Sequence, residues 1–166
     1  MTITIRPERA GDEPAIHALT DAAFRDMPFS DGDEADLIDK LRADGDLVLS
    51  LVATNRDEAI VGHIAFSPVT ISDGTSDWYG LGPVSVIPTN QHTGIGGQLI
   101  DRGIADMVAR NAKGIVLLGN PKYYSRFGFI VEPRLTYAGG PAEYFQTLLL
   151  DGELPHGAVN FAPAFG

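Results

Sequence analysis

The chain has 166 residues, 44% of them hydrophobic, and 22 acidic against 12 basic side chains give it a formal charge of -10. That composition suits one ordinary domain, residues 1–166, with enough apolar material for a core, and the negative balance excludes the basic face that nucleic acid requires. The absence of cysteine excludes disulfides, thiolate metal sites and a catalytic thiol; with no run near the roughly 20 apolar residues that span a bilayer, and Arg6, Glu8 and Arg9 where a leader would be apolar, a cytoplasmic protein without membrane partners is expected.

Residues 2–6 alternate and read as a strand stopped by Pro7. Asp12 is placed as an N-cap, with Glu13 and Pro14 in the first turn, and Ile16, Leu19 and Ala23 carry a helix to about Phe24. A loop over 27–32 leads to a second helix with Leu37, Ile38 and Leu41 inward, ended by Gly45. Strands are expected over 47–54, 59–69 and 79–86, separated by turns at 55–58 and 72–75.

The run into Pro88 is followed by Gln91-His92-Thr93-Gly94-Ile95-Gly96-Gly97. This is strand, polar loop and helix start, with glycines where loop becomes helix. The first N–H groups of a helix lack intrahelical partners and lie at the positive end of its dipole, so such a start holds phosphate without a lysine or a metal. A Walker loop is excluded, because the next lysine is Lys113. The dinucleotide fingerprint fails as well: Leu99 stands where its third glycine belongs, and no acidic residue occurs between Asp106 and Glu132. The spacing Gln/Arg-x-x-Gly-x-Gly/Ala does fit at Gln91, Gly94 and Gly96. Close helix packing alone would also use glycines here.

The helix is expected from Gly94 to about Ala112, with Ile95, Leu99, Ile100, Ile104, Met107 and Val108 on one face and Gly103 at its edge, letting the helix approach a sheet. Residues 114–119 form a short apolar run that suits a buried strand. It enters Asn120-Pro121-Lys122-Tyr123-Tyr124-Ser125-Arg126-Phe127-Gly128-Phe129, in which Asn120 and Tyr124 share one side of a short helix. Further strands are expected at 129–131, 146–150 and 157–161. Strands, an early helix pair and a central strand–helix–strand unit fit a single-sheet α/β or α+β domain.

The glycine loop and the Asn-to-Gly-Phe segment, in this order and one strand apart, resemble the two signatures of the GNAT N-acetyltransferases, and the tail from Tyr144 resembles one bacterial branch with a Tyr-Tyr-x-Arg-Phe-Gly-Phe motif. The resemblance implies a mixed, mostly antiparallel twisted sheet of about six or seven strands flanked by about four helices. It implies acetyl-CoA as co-substrate, with pyrophosphate on the loop formed by Gln91, His92, Thr93, Gly94, Ile95, Gly96 and Gly97. The pantetheine arm would lie along Val84, Ser85 and Val86 and past Asn120, with Val86 N–H near the oxyanion. Tyr124, picked out by the Tyr-x-x-x-Gly-Phe register, would protonate the leaving thiolate, while Tyr123 would pack. The arginine or lysine common near Thr93 in the family is absent.

A small-molecule or peptide amine is the implied acceptor, held between residues 27–34 and 136–145, which mix aromatic and acidic groups. Glu34 and His63 are the candidate bases. The spacing of His17, His63, His92 and His156 gives no metal site, and Asp31 with Asp33 lacks the glycine and glutamate of a calcium loop. The expected activity is direct acetyl transfer to a primary amine in a ternary complex. A non-catalytic acyl-CoA-binding module is the alternative, and a homodimer is left open.

Overall fold

The computed structural model describes residues 2–166. The chain opens with β1 (Thr4–Pro7), α1 (Glu13–Phe24) and α2 (Glu34–Ala43). Then come β2 (Leu49–Thr54), β3 (Ile60–Pro68), β4 (Thr70–Ile71) and β5 (Trp78–Val86). After α3 (Ile95–Ala109), β6 (Gly114–Leu118) and α4 (Pro121–Tyr124) lie β7 (Leu135–Thr136), β8 (Phe145–Leu149) and β9 (Gly157–Asn160).

Six strands form the main sheet in the order β1-β2-β3-β5-β6-β8, antiparallel throughout except for the parallel pair β5 and β6. Side-chain alternation divides the core between its two faces. Leu51, Ile64 and Phe66 pack with Leu99, Ile100 and Met107 of α3, whereas Val52 packs with Ile16 of α1 and Ile38 of α2. Gly103 makes the α3 contact close: a Cβ there would lie 2.5 Å from the Phe66 ring. Val108, expected on the buried face, is 55% exposed.

The helix ends follow capping chemistry. Gly45, at φ 77°, closes α2, with Asp46 N–H donating to Leu41 O and Gly45 N–H to Arg42 O. Asn111, at φ 64°, does the same for α3, with Ala112 N–H donating to Met107 O. The helix therefore stops at Ala109 rather than near Ala112. Asp12 occupies the N-cap position of α1 but makes no side-chain cap bond. Arg6 claims its carboxylate at 2.7 and 3.2 Å, and Arg9 N–H donates to it at 2.7 Å. The Arg6 hydrogen bond is the main reason its pKa lies below the ordinary aspartate value.

A second, three-stranded sheet, β4-β9-β7, was not expected. The strand expected over 59–69 ends at Pro68, opposite Tyr79, with Val69 N–H still donating to Trp78 O. The chain then turns out to pair Thr70 with Asn160 and Ile71 with Val159. The strand expected at 129–131 is a single bridge between Ile130 and Thr147.

Candidate active site

The site grows from a fork in the main sheet. Parallel pairing joins Trp78 to Gly114, Tyr79 to Ile115 and Gly80 to Val116, after which β5 continues to Val86 while β6 runs on beside β8. Across β3, Ile87 N–H donates to Val61 O. The alternation of an antiparallel ladder then turns the backbone of Ser85 toward His63 and that of Val84 and Val86 into the fork. Ser85 also sends its hydroxyl to Thr20 Oγ1, at 3.4 Å, on the α1 face. Of the three residues expected along the pantetheine arm, Ser85 is thus presented elsewhere.

The loop after β5 closes one end of the fork. Gln91 Nε2 donates to Val86 O at 3.0 Å, and Thr93 Oγ1 donates to Asn90 O at 2.5 Å. The first ties the loop to the strand end, and the second holds the loop's own shape. His92 has φ 66° and Gly94 φ 90°, so two left-handed residues turn the chain into α3. The first helical bond runs from Gln98 N–H to Gly94 O, which leaves the amides of Ile95, Gly96 and Gly97 without intrahelical carbonyls. His92, Thr93 and Gly94 are exposed, and Ile95 is buried and anchors the turn in the core.

Facing this turn is α4. Asn120 Oδ1 accepts from Lys122 N–H at 3.0 Å, and Asn120 O accepts from both Tyr123 and Tyr124 N–H. Asn120, extended at φ -75° and ψ 115°, is therefore the N-cap of this turn, and Tyr124 is its last helical residue. Tyr124 packs edge-on against Tyr123 and Phe129, and its ring lies so close to Gly119 that a Cβ there would meet it at 2.5 Å. Burial, and then the neighbouring Tyr123, push its phenol up to about 12. Tyr123 is not only packing: its hydroxyl lies 3.5 Å from where a Gly96 Cβ would stand. Arg126 stacks over its ring at 4.6 Å. No spacing in the chain signals this approach to the glycine turn, because it depends on how α4 packs.

At the free end of β6 is a cavity of about 1020 Å³, with Phe29, Leu118, Asn120, Pro141 and Tyr144 in its wall. Both segments expected to flank an acceptor contribute to it, through Phe29 and through Gly139 to Tyr144. Their acidic residues do not line it. Gln146, 1% exposed, donates to Gly119 O at 2.9 Å and Tyr144 O at 3.3 Å, fixing the strand ends that frame the opening.

The two candidate bases part company. His63 is fully buried and its pKa is lowered to about 4, chiefly by burial. It reaches Ser50, not the cavity. Glu34 is half-buried and accepts from Ser30 Oγ at 2.6 and 2.8 Å, one residue beyond Phe29. The fold also brings His17, Asp36 and Asp39 together, with donor atoms within 4.8 Å, which histidine spacing did not suggest. His17 Nδ1 lies 2.7 Å from Asp39 Oδ2 and Arg42 reaches Asp39 at 3.2 Å, so Asp39 already has two protein partners.

Comparison with known proteins agrees with this geometry. Residues 4–131 match the family model of the acetyltransferase (GNAT) domain. A GNAT family acetyltransferase from Brucella melitensis, solved in complex with acetyl-CoA, superposes with a TM-score of 0.88 at 44% identity, covering 99% of each chain. The uncharacterized N-acetyltransferase YhbS of Escherichia coli is 38% identical over 125 residues, 75% of this chain and 72% of YhbS. Its structure, in complex with CoA, superposes over 98% of this chain and 91% of that one, with a TM-score of 0.88 and 32% identity over the longer alignment. The chain belongs to the GNAT N-acetyltransferases. Among the described residues no helix is long and apolar enough to cross a membrane.

Proposed function

We propose that the chain transfers the acetyl group of acetyl-CoA directly to a primary amine, carried by a small molecule or a peptide, within a ternary complex. The observation that carries this reading is the fork after Gly80 and Val116, with an amide-rich helix start following its β5 arm and a cavity at the end of its β6 arm. The thioester supplies an activated acetyl group; the chain supplies position and proton handling.

The amides of Ile95, Gly96 and Gly97 hold the pyrophosphate, with Gln91, His92, Thr93 and Gly94 shaping the loop. Val84 and Val86 offer backbone groups to the pantetheine arm, which passes Asn120, and Val86 N–H faces the developing oxyanion. Glu34, set back from the cavity wall and held by Ser30 next to Phe29, draws the proton from the incoming ammonium through intervening water. The chain has no cysteine to form a thiol acyl-enzyme, so the amine attacks the thioester carbonyl itself. Tyr124, whose raised pKa keeps it a phenol at neutral pH, donates its proton to the leaving thiolate.

The test is acetyl-CoA consumption against a panel of primary amines, with free thiol and acetylated amine both quantified. Acetylated product in step with CoA release is expected. Tight CoA binding with no acetylated product would instead make the chain an acyl-CoA-binding module.

A further inference from the structure

Large apolar side chains left open to water are informative when several converge on one concavity. Phe29 is 78% exposed, Tyr144 46% and Leu118 41%, and all three face the cavity at the end of the fork, with Pro121 and Pro141 between them. They come from three separate places in the chain: the loop between α1 and α2, the end of β6, and the segment before β8. Gly139 and Gly140 keep the wall thin, since a Cβ at Gly140 would press on Leu118 at 3.2 Å. Among the described residues that line the cavity the only ionisable group besides the Tyr144 phenol is Lys122, a cation, and none is a carboxylate.

That wall selects by charge and by shape. A polyamine or an aminoglycoside carries several positive charges and needs carboxylates to offset their desolvation. Here each extra ammonium would meet apolar surface or the like charge of Lys122. An aromatic or comparably bulky apolar body would instead cover Phe29, Leu118 and Tyr144 and remove their surface from water. We infer that the acceptor is a monoamine on an aromatic-sized apolar body, held by Phe29 and Tyr144 as specificity-determining residues. The inference rests on the reading of this cavity as the acceptor side of an acetyltransferase.

Binding separates the two ideas. Calorimetric titration of the CoA-loaded protein with phenethylamine is expected to give an affinity at least about tenfold above that for spermidine. Phe29→Ala and Tyr144→Ala are each expected to weaken phenethylamine by about tenfold without changing CoA affinity, and Phe29→Leu to recover most of the loss. Equal or tighter binding of spermidine, or variants that bind phenethylamine as the parent does, would overturn the inference. Phenethylamine binding without acetyl transfer would support the pocket assignment while overturning catalysis. Transfer to spermidine but not to phenethylamine would do the reverse.

Discussion

His63 Nε2 lies 2.8 Å from Ser50 Oγ, and the proton of that hydroxyl is already given to Glu8 Oε1, also at 2.8 Å. Ser50 must therefore accept from His63, which fixes the tautomer with hydrogen on Nε2 and leaves Nδ1, buried and without a protein partner, as a bare acceptor. Glu8 in turn takes two bonds from Arg42, at 2.7 and 3.1 Å. Burial raises the Glu8 pKa, but the bonds from Arg42 and Ser50 outweigh it and hold the carboxyl below its ordinary value.

A pH dependence of stability follows from His63. Its folded pKa of about 4 lies below the ordinary 6.5, so between those values the unfolded chain takes up a proton that the folded chain refuses. Stability is then flat above that window and falls as pH drops through it, by about 2 kcal/mol between pH 7 and pH 5. Glu8 and Asp12, held below their usual range, add their losses only at lower pH. Urea unfolding at a series of pH values should show this slope, and His63→Gln should flatten it. A slope unchanged in the variant would place the titrating group elsewhere.

The two adjacent tyrosines should separate kinetically. Tyr124→Phe keeps a ring packed on Gly119 and Phe129 but removes the hydroxyl. Loss of general acid help predicts a fall in kcat of about 100-fold at saturating amine, with acetyl-CoA affinity nearly unchanged. Tyr123→Phe should cost much less in kcat. A crippled Tyr123→Phe beside an active Tyr124→Phe would exchange their roles.

Gly96 should tolerate little bulk. A Cβ there has Tyr123 Oη at 3.5 Å and Val86 Cγ2 at 3.9 Å, which is ordinary contact for one methyl group and no more. Gly96→Val would crowd the amides of the helix start, so CoA affinity should fall by more than about tenfold while circular dichroism stays native. Retained affinity in calorimetry would remove the glycine turn from the coenzyme site.

Gly103 is a packing requirement of a different kind. A Cβ would lie 2.5 and 2.7 Å from two atoms of the fully buried Phe66 ring. Overpacking of that sort costs about 1–3 kcal/mol, against a helix-propensity gain of about 1 kcal/mol for alanine. Gly103→Ala should lower the urea midpoint at constant m-value. A raised midpoint would mean that α3 can lift off the sheet without loss.

Local chemistry made the glycine turn, the buried β6 and the Asn120 turn legible, because each is set by residues within a few positions of one another. The same holds for Gly103, whose lack of a side chain inside an apolar helix face has a packing explanation. What escaped the sequence is non-local. Thr70–Ile71 and Leu135–Thr136 are too short to show a period, and they become strands only when β9 lies beside them. Asp12 had cap chemistry in the sequence, but Arg6 takes its carboxylate. Asn111 signals a helix end only to a reader who accepts it in place of glycine at the left-handed position. In the candidate site the approach of Tyr123 to Gly96 and the convergence of Phe29, Leu118 and Tyr144 depend on tertiary packing, which no spacing records.

Gly80, in the last parallel pair of β5 with β6, has no side chain, and the Phe161 ring fills its place: a Cβ there would meet that ring at 2.8 Å. Phe161 follows β9 directly, beyond the matched acetyltransferase domain, and the chain's final turn, Pro163–Phe165, reaches back to α2. The tail thus lies on the sheet face over the last paired residues before the two strands part, and its end is braced against α2. The paired stem from which the strands part is therefore covered by residues far in sequence from any that would touch a thioester.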